Sequence, residues 1–295
     1  MTALLMGLFA WQLPKAAHAN ICSCTEDVRD AIVQEVRRDH AQRNTGLDKN
    51  CTNVTASDLQ KVTDLTVGSR EKIETLKAVD FSGLSNLERL YIDGTGLTSL
   101  SAEVFPEDLS NLIELRLGGN QLTSLPASLF SELSNLKHLY LDRNQLKNLP
   151  TKTFSELSSL VALYLDNNEL TNLSEDVFSI LSRLDSLHRS NNQLANVPAE
   201  VFSKLFSGLS RLIFLDLSNN GLTSIPPNTF RGLEKSEAGG TATIQMRLAT
   251  QPTAAVIVTP RSNDITEGAV SDALTFTPSN WDTDQSVTVT GVDDA

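Results

Sequence analysis

Residues 133–156 read LSNLKHLYLDRNQLKNLPTKTFSE, and residues 157–180 read LSSLVALYLDNNELTNLSEDVFSI, nearly the same phrase again. Its opening L-S-x-L recurs at Leu84, Leu109, Leu133, Leu157, Leu181 and Leu209, in steps of 25, 24, 24, 24 and 28 residues. A fixed period in that range signals a solenoid, in which each unit buries its apolar face only against its neighbours. Leu-x-Leu, as in Leu139 and Leu141, alternates with period two and marks a short strand with one face buried.

The full phrase is L-x-x-L-x-L-x-x-N-x-L, here Leu136, Leu139, Leu141, Asn144 and Leu146. It resembles the leucine-rich repeat family, specifically the 24-residue extracellular type, over about Val62 to Leu233. The resemblance implies an α/β horseshoe with a parallel sheet on its concave side. Asn120, Asn144, Asn168, Asn192 and Asn220 fall in the turn after each strand, where an amide can both donate to and accept from backbone groups left unpaired by the bend. Thr95 takes that place in the first copy. Phe81, Phe105, Phe130, Phe154, Phe178, Phe202 and Phe230 form a second ladder, expected behind the sheet.

Around this core the sequence divides the chain into four parts. Residues 1–19 read as a signal peptide, with an apolar stretch from Ala3 to Leu13 and Ala17-His18-Ala19 before the cut. Residues 20–61 read as a helical N-terminal cap, with Thr25 as helix N-cap and Val28, Ile32 and Val36 on one face. In an exported protein Cys51 is expected to pair with Cys22 or Cys24; three sulfurs with only His40 nearby make a poor zinc site. Residues 62–233 are the solenoid, opened by a degenerate copy with Leu65 and Val67 in its strand.

Residues 234–295 alternate as β-strands do, and EAGGTAT, LATQPTAAV and LTFTPSNWDTDQSVTVTGVDDA resemble the Calx-beta-like β-sandwich repeats of large bacterial surface proteins. The segment is short for such a sandwich, so the chain is expected to be a fragment or to need a partner strand. The same resemblance implies calcium binding by clustered acids; Asp282, Asp284, Asp293 and Asp294 are read instead as solvated turn acids, with no metal and no cofactor expected.

Function is expected on the concave face, where equivalent positions form columns. One column holds Tyr91, Arg116, Tyr140, Tyr164, His188 and Asp216. The preceding one holds Arg89, Glu114, His138, Ala162, Ser186 and Phe214, and the next holds Asp93, Gly118, Asp142, Asp166, Ser190 and Ser218. Tyrosines flanked by acids suit a protein or glycan ligand, since Tyr offers contact area at low entropic cost. The alternative is that LYLDNN is template wording duplicated with the scaffold, in a structural spacer with no specific ligand.

Departures from the template are more informative: Arg116, Gly118 and Gly119 in the second copy, His188 and Arg189 in the fifth, and Phe214 in the sixth. Arg189 stands where other copies bury Leu, Ile or Val, and is expected to snorkel to solvent, to meet Asp185 or Asp216, or to distort its strand. The fifth copy also carries four extra residues, VFSKLFSGLSRL, which leave Phe202 or Phe206 as the ladder residue.

With 24 Lys+Arg against 36 Asp+Glu, the formal charge of -12 repels phosphate backbones, so no nucleic-acid partner is expected. No stretch is long enough to span a bilayer as a helix. Catalysis finds no motif: the solenoid has no cysteine, no G-x-S-x-G occurs, and His138 and His188 lie in different columns.

Overall fold

The structure, a computed structural model, describes residues 26–40, 54–68, 73, 75–194, 201, 204–206, 209, 211–221, 241–246, 255–258 and 268–291. Cys22, Cys24, Cys51, Thr25, Phe202, Phe230, Asp293, Asp294 and the signal-peptide stretch lie outside these residues.

Seven three-residue strands carry the repeats: β1 (Asp64–Thr66), β2 (Arg89–Tyr91), β3 (Glu114–Arg116), β4 (His138–Tyr140), β6 (Ala162–Tyr164), β8 (Ser186–His188) and β9 (Phe214–Asp216). They pair in parallel in that order, with Leu65, Leu90, Leu115, Leu139, Leu163, Leu187 and Leu215 in register along one buried line. Two further short strands, β5 (Asn148–Leu149) and β7 (Asn172–Leu173), pair in parallel beyond the turns. The leucines of every copy join one continuous apolar core. Each fully buried side chain contributes about 1.5–3 kcal/mol, but only with both neighbours present.

The asparagines weld one turn to the next. Asn168 accepts from the Leu146 amide at 3.1 Å and donates to the carbonyls of Leu141 and Leu165 at 3.0 and 3.1 Å. Asn144 repeats this one copy earlier, bonding Leu122, Leu117 and Leu141. In the first copy Thr95 is not a gap: its amide and hydroxyl both donate to Asn120 at 3.0 Å. One place before each asparagine, and before Thr95 in the first copy, the bend demands a left-handed residue: Gly94, Gly119, Arg143, Asn167, Asn191 and Asn219 all have positive φ. Asn and Gly tolerate this, whereas Arg143 at φ 53 carries some strain.

Behind the sheet, Phe81, Phe105, Phe130, Phe154 and Phe178 stack at centroid separations of 6.0 to 6.3 Å. Phe206 is fully buried in the fifth copy. Arg189 takes none of the routes open to it in the sequence. It is 0% exposed, forms no ion pair with Asp185 or Asp216, and leaves its strand undistorted, since its amide still donates to the Asp216 carbonyl at 3.0 Å. Its guanidinium lies over two ladder rings, 5.3 Å from both Phe178 and Phe206. Desolvated cation–π contacts of about 2 kcal/mol each offset part of the burial cost. Nε, Nη1 and Nη2 nevertheless find no acceptor among the described residues. Burial pushes the group down to about 9, so it keeps its charge at neutral pH.

At the N-terminal end α1 (Glu26–His40) buries Val28, Ile32 and Val33 and packs against β1 and the short α2 (Ala56–Leu59). Thr55 and Asp58 cap α2 reciprocally, the Thr55 amide donating to Asp58 at 3.0 Å and the Asp58 amide to Thr55 at 3.3 Å. At the other end β10 (Thr241–Met246) adds in parallel to β9, and β14 (Gln285–Gly291) and then β12 (Gly268–Val270) continue the sheet antiparallel. A separate pair joins β11 (Val256–Val258) and β13 (Leu274–Phe276). The C-terminal strands therefore extend the repeat sheet directly.

Replacing Asn168 with Ala leaves the buried Leu146 amide without an acceptor, at about 1–3 kcal/mol, and takes one of two donors from each of the Leu141 and Leu165 carbonyls, which keep Asn144 and Asn192. Urea unfolding of N168A should show a loss of about 1–3 kcal/mol, and a loss below about 0.5 kcal/mol would contradict the welding role.

Candidate functional site

All eleven residues singled out on the concave face, Arg89, Tyr91, Arg116, His138, Tyr140, Asp142, Tyr164, Asp166, His188, Phe214 and Asp216, are half-buried on that surface. Strand pairing sets Tyr91, Arg116, Tyr140, Tyr164, His188 and Asp216 side by side, and Arg89, Glu114, His138, Ala162, Ser186 and Phe214 beside them.

Parallel strands lie about 4.8 Å apart, which is close to the thickness of a stacked ring pair, so like aromatics in one column stack face to face. Tyr140 and Tyr164 do so at 4.3 Å and 5°, and Tyr164 and His188 at 4.4 Å and 16°. His188 then meets Phe214, from the neighbouring column, at 4.6 Å and 36°. At the other end the Arg116 guanidinium lies between Tyr91 and Tyr140, 4.9 and 4.6 Å from their centroids. Tyr91, Arg116, Tyr140, Tyr164, His188 and Phe214 thus form one unbroken stack across six strands. Its inner ring faces are occupied by one another.

Burial shifts the groups in and beside the stack. It pushes the Tyr140 hydroxyl up to about 12 and the Tyr91 hydroxyl upward, so both remain donors at neutral pH. It lowers His188 from 6.5, against the pull of Asp166 and Asp216. It raises Asp93 and Asp166, although the Gly118 amide donates to Asp93 at 2.9 Å and the Ser190 amide and hydroxyl to Asp166 at 2.7 and 2.8 Å. Gly118 itself has a steric reason: a Cβ there would meet Asp142 Oδ1 at 2.9 Å and Asp93 Oδ1 at 3.1 Å. The missing side chain lets two carboxylates lean over one backbone position.

Charge is balanced on one flank only. Arg89 pairs with Asp64 at 3.0 Å and Arg116 with Glu114 at 2.7 Å. Asp93, Asp142 and Asp166, in the outer column, form no ion pair within 4.0 Å among the described residues, although Asp93 lies in the field of Arg116 and Asp166 in that of His188. Nor do the described residues contain a His, Cys, Asp or Glu group arranged for a metal ion. No described helix is long and apolar enough to cross a membrane.

Sequence reasoning missed a polar groove of about 640 Å³ where the strands begin, lined by Asn86, Asn111, Asn135, Glu88, Lys137 and Arg183 among others. Its asparagines donate to carbonyls of the preceding copy, Gln60, Ser85 and Ser110, at 2.7 to 2.8 Å. The signal lay in the quoted phrase, as the N of L-S-N-L.

Three segments of the chain, residues 85–146, 134–194 and 195–238, match the family model described as Leucine rich repeat. Among solved structures, the chain is similar to TLR13 in its complex with ssRNA13, at 28% identity and a TM-score of 0.56 over 65% of this chain and 25% of that one. A leucine-rich repeat protein of Leptospira interrogans aligns at 32% identity, with a TM-score of 0.47 over 61% and 43%. The APL1 leucine-rich repeat domain aligns at 22%, with a TM-score of 0.50 over 60% and 45%. The chain spans less than half the length of each. No curated protein matches it. Leucine-rich repeat proteins are generally non-enzymatic binding scaffolds. The matched segments together cover more than half of the chain, and on that basis it belongs to the leucine-rich repeat family.

Proposed function

We propose that this chain is an exported, non-enzymatic recognition protein of the 24-residue extracellular type, which holds a protein ligand on its concave face in an adhesive role. The observation that carries this reading is the stack from Tyr91 to Phe214. Sugar recognition by aromatics uses open ring faces, and here neighbouring rings cover one another at 4.3 to 4.6 Å. Edges, hydroxyls and one shared guanidinium suit the mixed polar and apolar surface of a protein. The unbalanced Asp93, Asp142 and Asp166 favour a ligand bearing Lys or Arg on the matching side. Export is supported by the apolar leader and by three cysteines confined to the first 51 residues. In the same reading α1 and α2 cap one end, Cys51 staples that cap to Cys22 or Cys24, and the C-terminal strands belong to a Calx-beta-like segment of a surface protein.

Ligand binding is tested by presenting the purified chain to arrays of matrix proteins, glycans and single-stranded RNA, RNA being included because one similar solved chain is in complex with it. R116E/Y140A/Y164A should keep its fold and lose about 100-fold or more in affinity for a protein ligand, as truncated aromatic hot spots do. Unchanged binding by the folded variant, or binding confined to the glycan or RNA arm, would sink the proposal.

The stack also makes the face acid-sensitive. Because His188 is depressed in the folded state, the unfolded chain binds the proton better between the folded value and 6.5. The stability tied to neutral His188 is therefore present above 6.5 and is lost as pH falls through the folded value. Urea midpoints should drop more steeply below pH 6.5 for the native chain than for H188F; parallel slopes would show that the imidazole is not responsible.

A further inference from the structure

The contact between the fifth and sixth copies differs from the others on one side only. On the strand side it is intact: β8 and β9 pair in register, and the amides of Arg189 and Asn191 donate to the carbonyls of Asp216 and Ser218 at 3.0 and 2.9 Å. In the turns Asn220 Nδ2 still donates to the Arg189 carbonyl at 2.8 Å and Asn219 Nδ2 to Asn191 Oδ1 at 2.6 Å, but the rest of the contact is incomplete. Asn144, Asn168 and Asn192 each accept an amide from the preceding turn, from Leu122, Leu146 and Leu170, whereas Asn220 Oδ1 is buried and has no donor. The next bond is missing too. Gln145, Glu169 and Gln193 send their amides to Leu122, Leu146 and Leu170, but Gly221 makes no such bond to Leu194. Finally, Arg189 brings an unsatisfied guanidinium to the same interior, between Phe178 of the fourth copy and Phe206 of the four-residue insertion.

These features lie together. The fifth copy carries four extra residues while its strand keeps its spacing, and two of the bonds that join successive turns elsewhere are lost at this junction. The cation occupies the space between two rings that elsewhere stack on each other directly. A group with three unanswered donors is stabilised by any movement that admits water to it.

We propose that the junction between the fifth and sixth copies is a curvature joint: the paired β8 and β9 act as its hinge, and the turns behind them part to release Arg189 into solvent. Opening leaves the strand ladder intact and changes the bend of the horseshoe. On the concave face the bend falls between His188 and Phe214, where the ring contact is already tilted by 36° against 5° and 16° further back. The sixth copy then swings relative to Tyr140 and Tyr164, adjusting the width of the surface that a ligand meets. The joint is a property of the solenoid and stands whether or not the concave face binds a protein.

Hydrogen exchange on the intact chain, read by mass spectrometry, tests the joint without any ligand. Amides of residues 192–194 and 219–221 should exchange at least tenfold faster than the equivalent amides of the second to fourth copies. R189L, which restores the template residue, should slow the junction at least tenfold and leave residues 115–170 unchanged. Equal protection of all copies in the native chain would overturn the joint. So would an R189L variant that slows every copy alike, or one that exchanges faster at the junction.

Discussion

The turn after each strand is the constraint on which the fold rests. To reverse direction every 24 residues without a disulfide or a long helix, the chain must bury bent backbone, and bent backbone leaves amides and carbonyls unpaired. One asparagine per copy answers these groups, accepting from the turn before and donating to two carbonyls, so polar satisfaction and repeat-to-repeat cohesion are a single interaction. The leucine core supplies most of the favourable energy but is tolerant of register. The amide ladder is not, and it fixes which copy faces which.

With register fixed, the concave surface follows from strand spacing. Side chains on neighbouring strands sit about as far apart as stacked rings, so a repeated tyrosine becomes part of a stack and a single arginine can lie between two of them. The same spacing explains Gly118: two aspartates duplicated with the template would crowd a third residue between them, and its absence leaves space for both to lean in. Surface chemistry here arises from neighbours in space that lie 24 or 25 residues apart in sequence.

The scaffold was legible because each of its residues does the same work in every copy. Leu139, Asn144 and Phe154 could be assigned from spacing alone, and so could the columns of the concave face. What the columns do to one another was not legible, since ring orientation depends on rotamers; the contact of His188 with Phe214 even crosses from one column to the next. Arg189 was read as a misfit, but its burial depended on where the insertion would place Phe206, which the duplicated F-S-x-L phrase left open. The Thr55–Asp58 cap and the L-S-N-L asparagines were both written in short motifs and overlooked beside a louder repeat.

The C-terminal strands bear on how such an array ends. A parallel stack presents at its last strand the same unpaired edge that every earlier copy presented to its successor, and so invites a further copy or a second molecule. Here β10 takes that edge in parallel, and β14 then runs the opposite way. Beyond it β12, antiparallel to β14, returns to the direction of the repeats, so what the C-terminal strands do is cover the free edge of β9 itself. A strand of the same chain thus sits against the last described repeat strand, in the place where a further copy would pair.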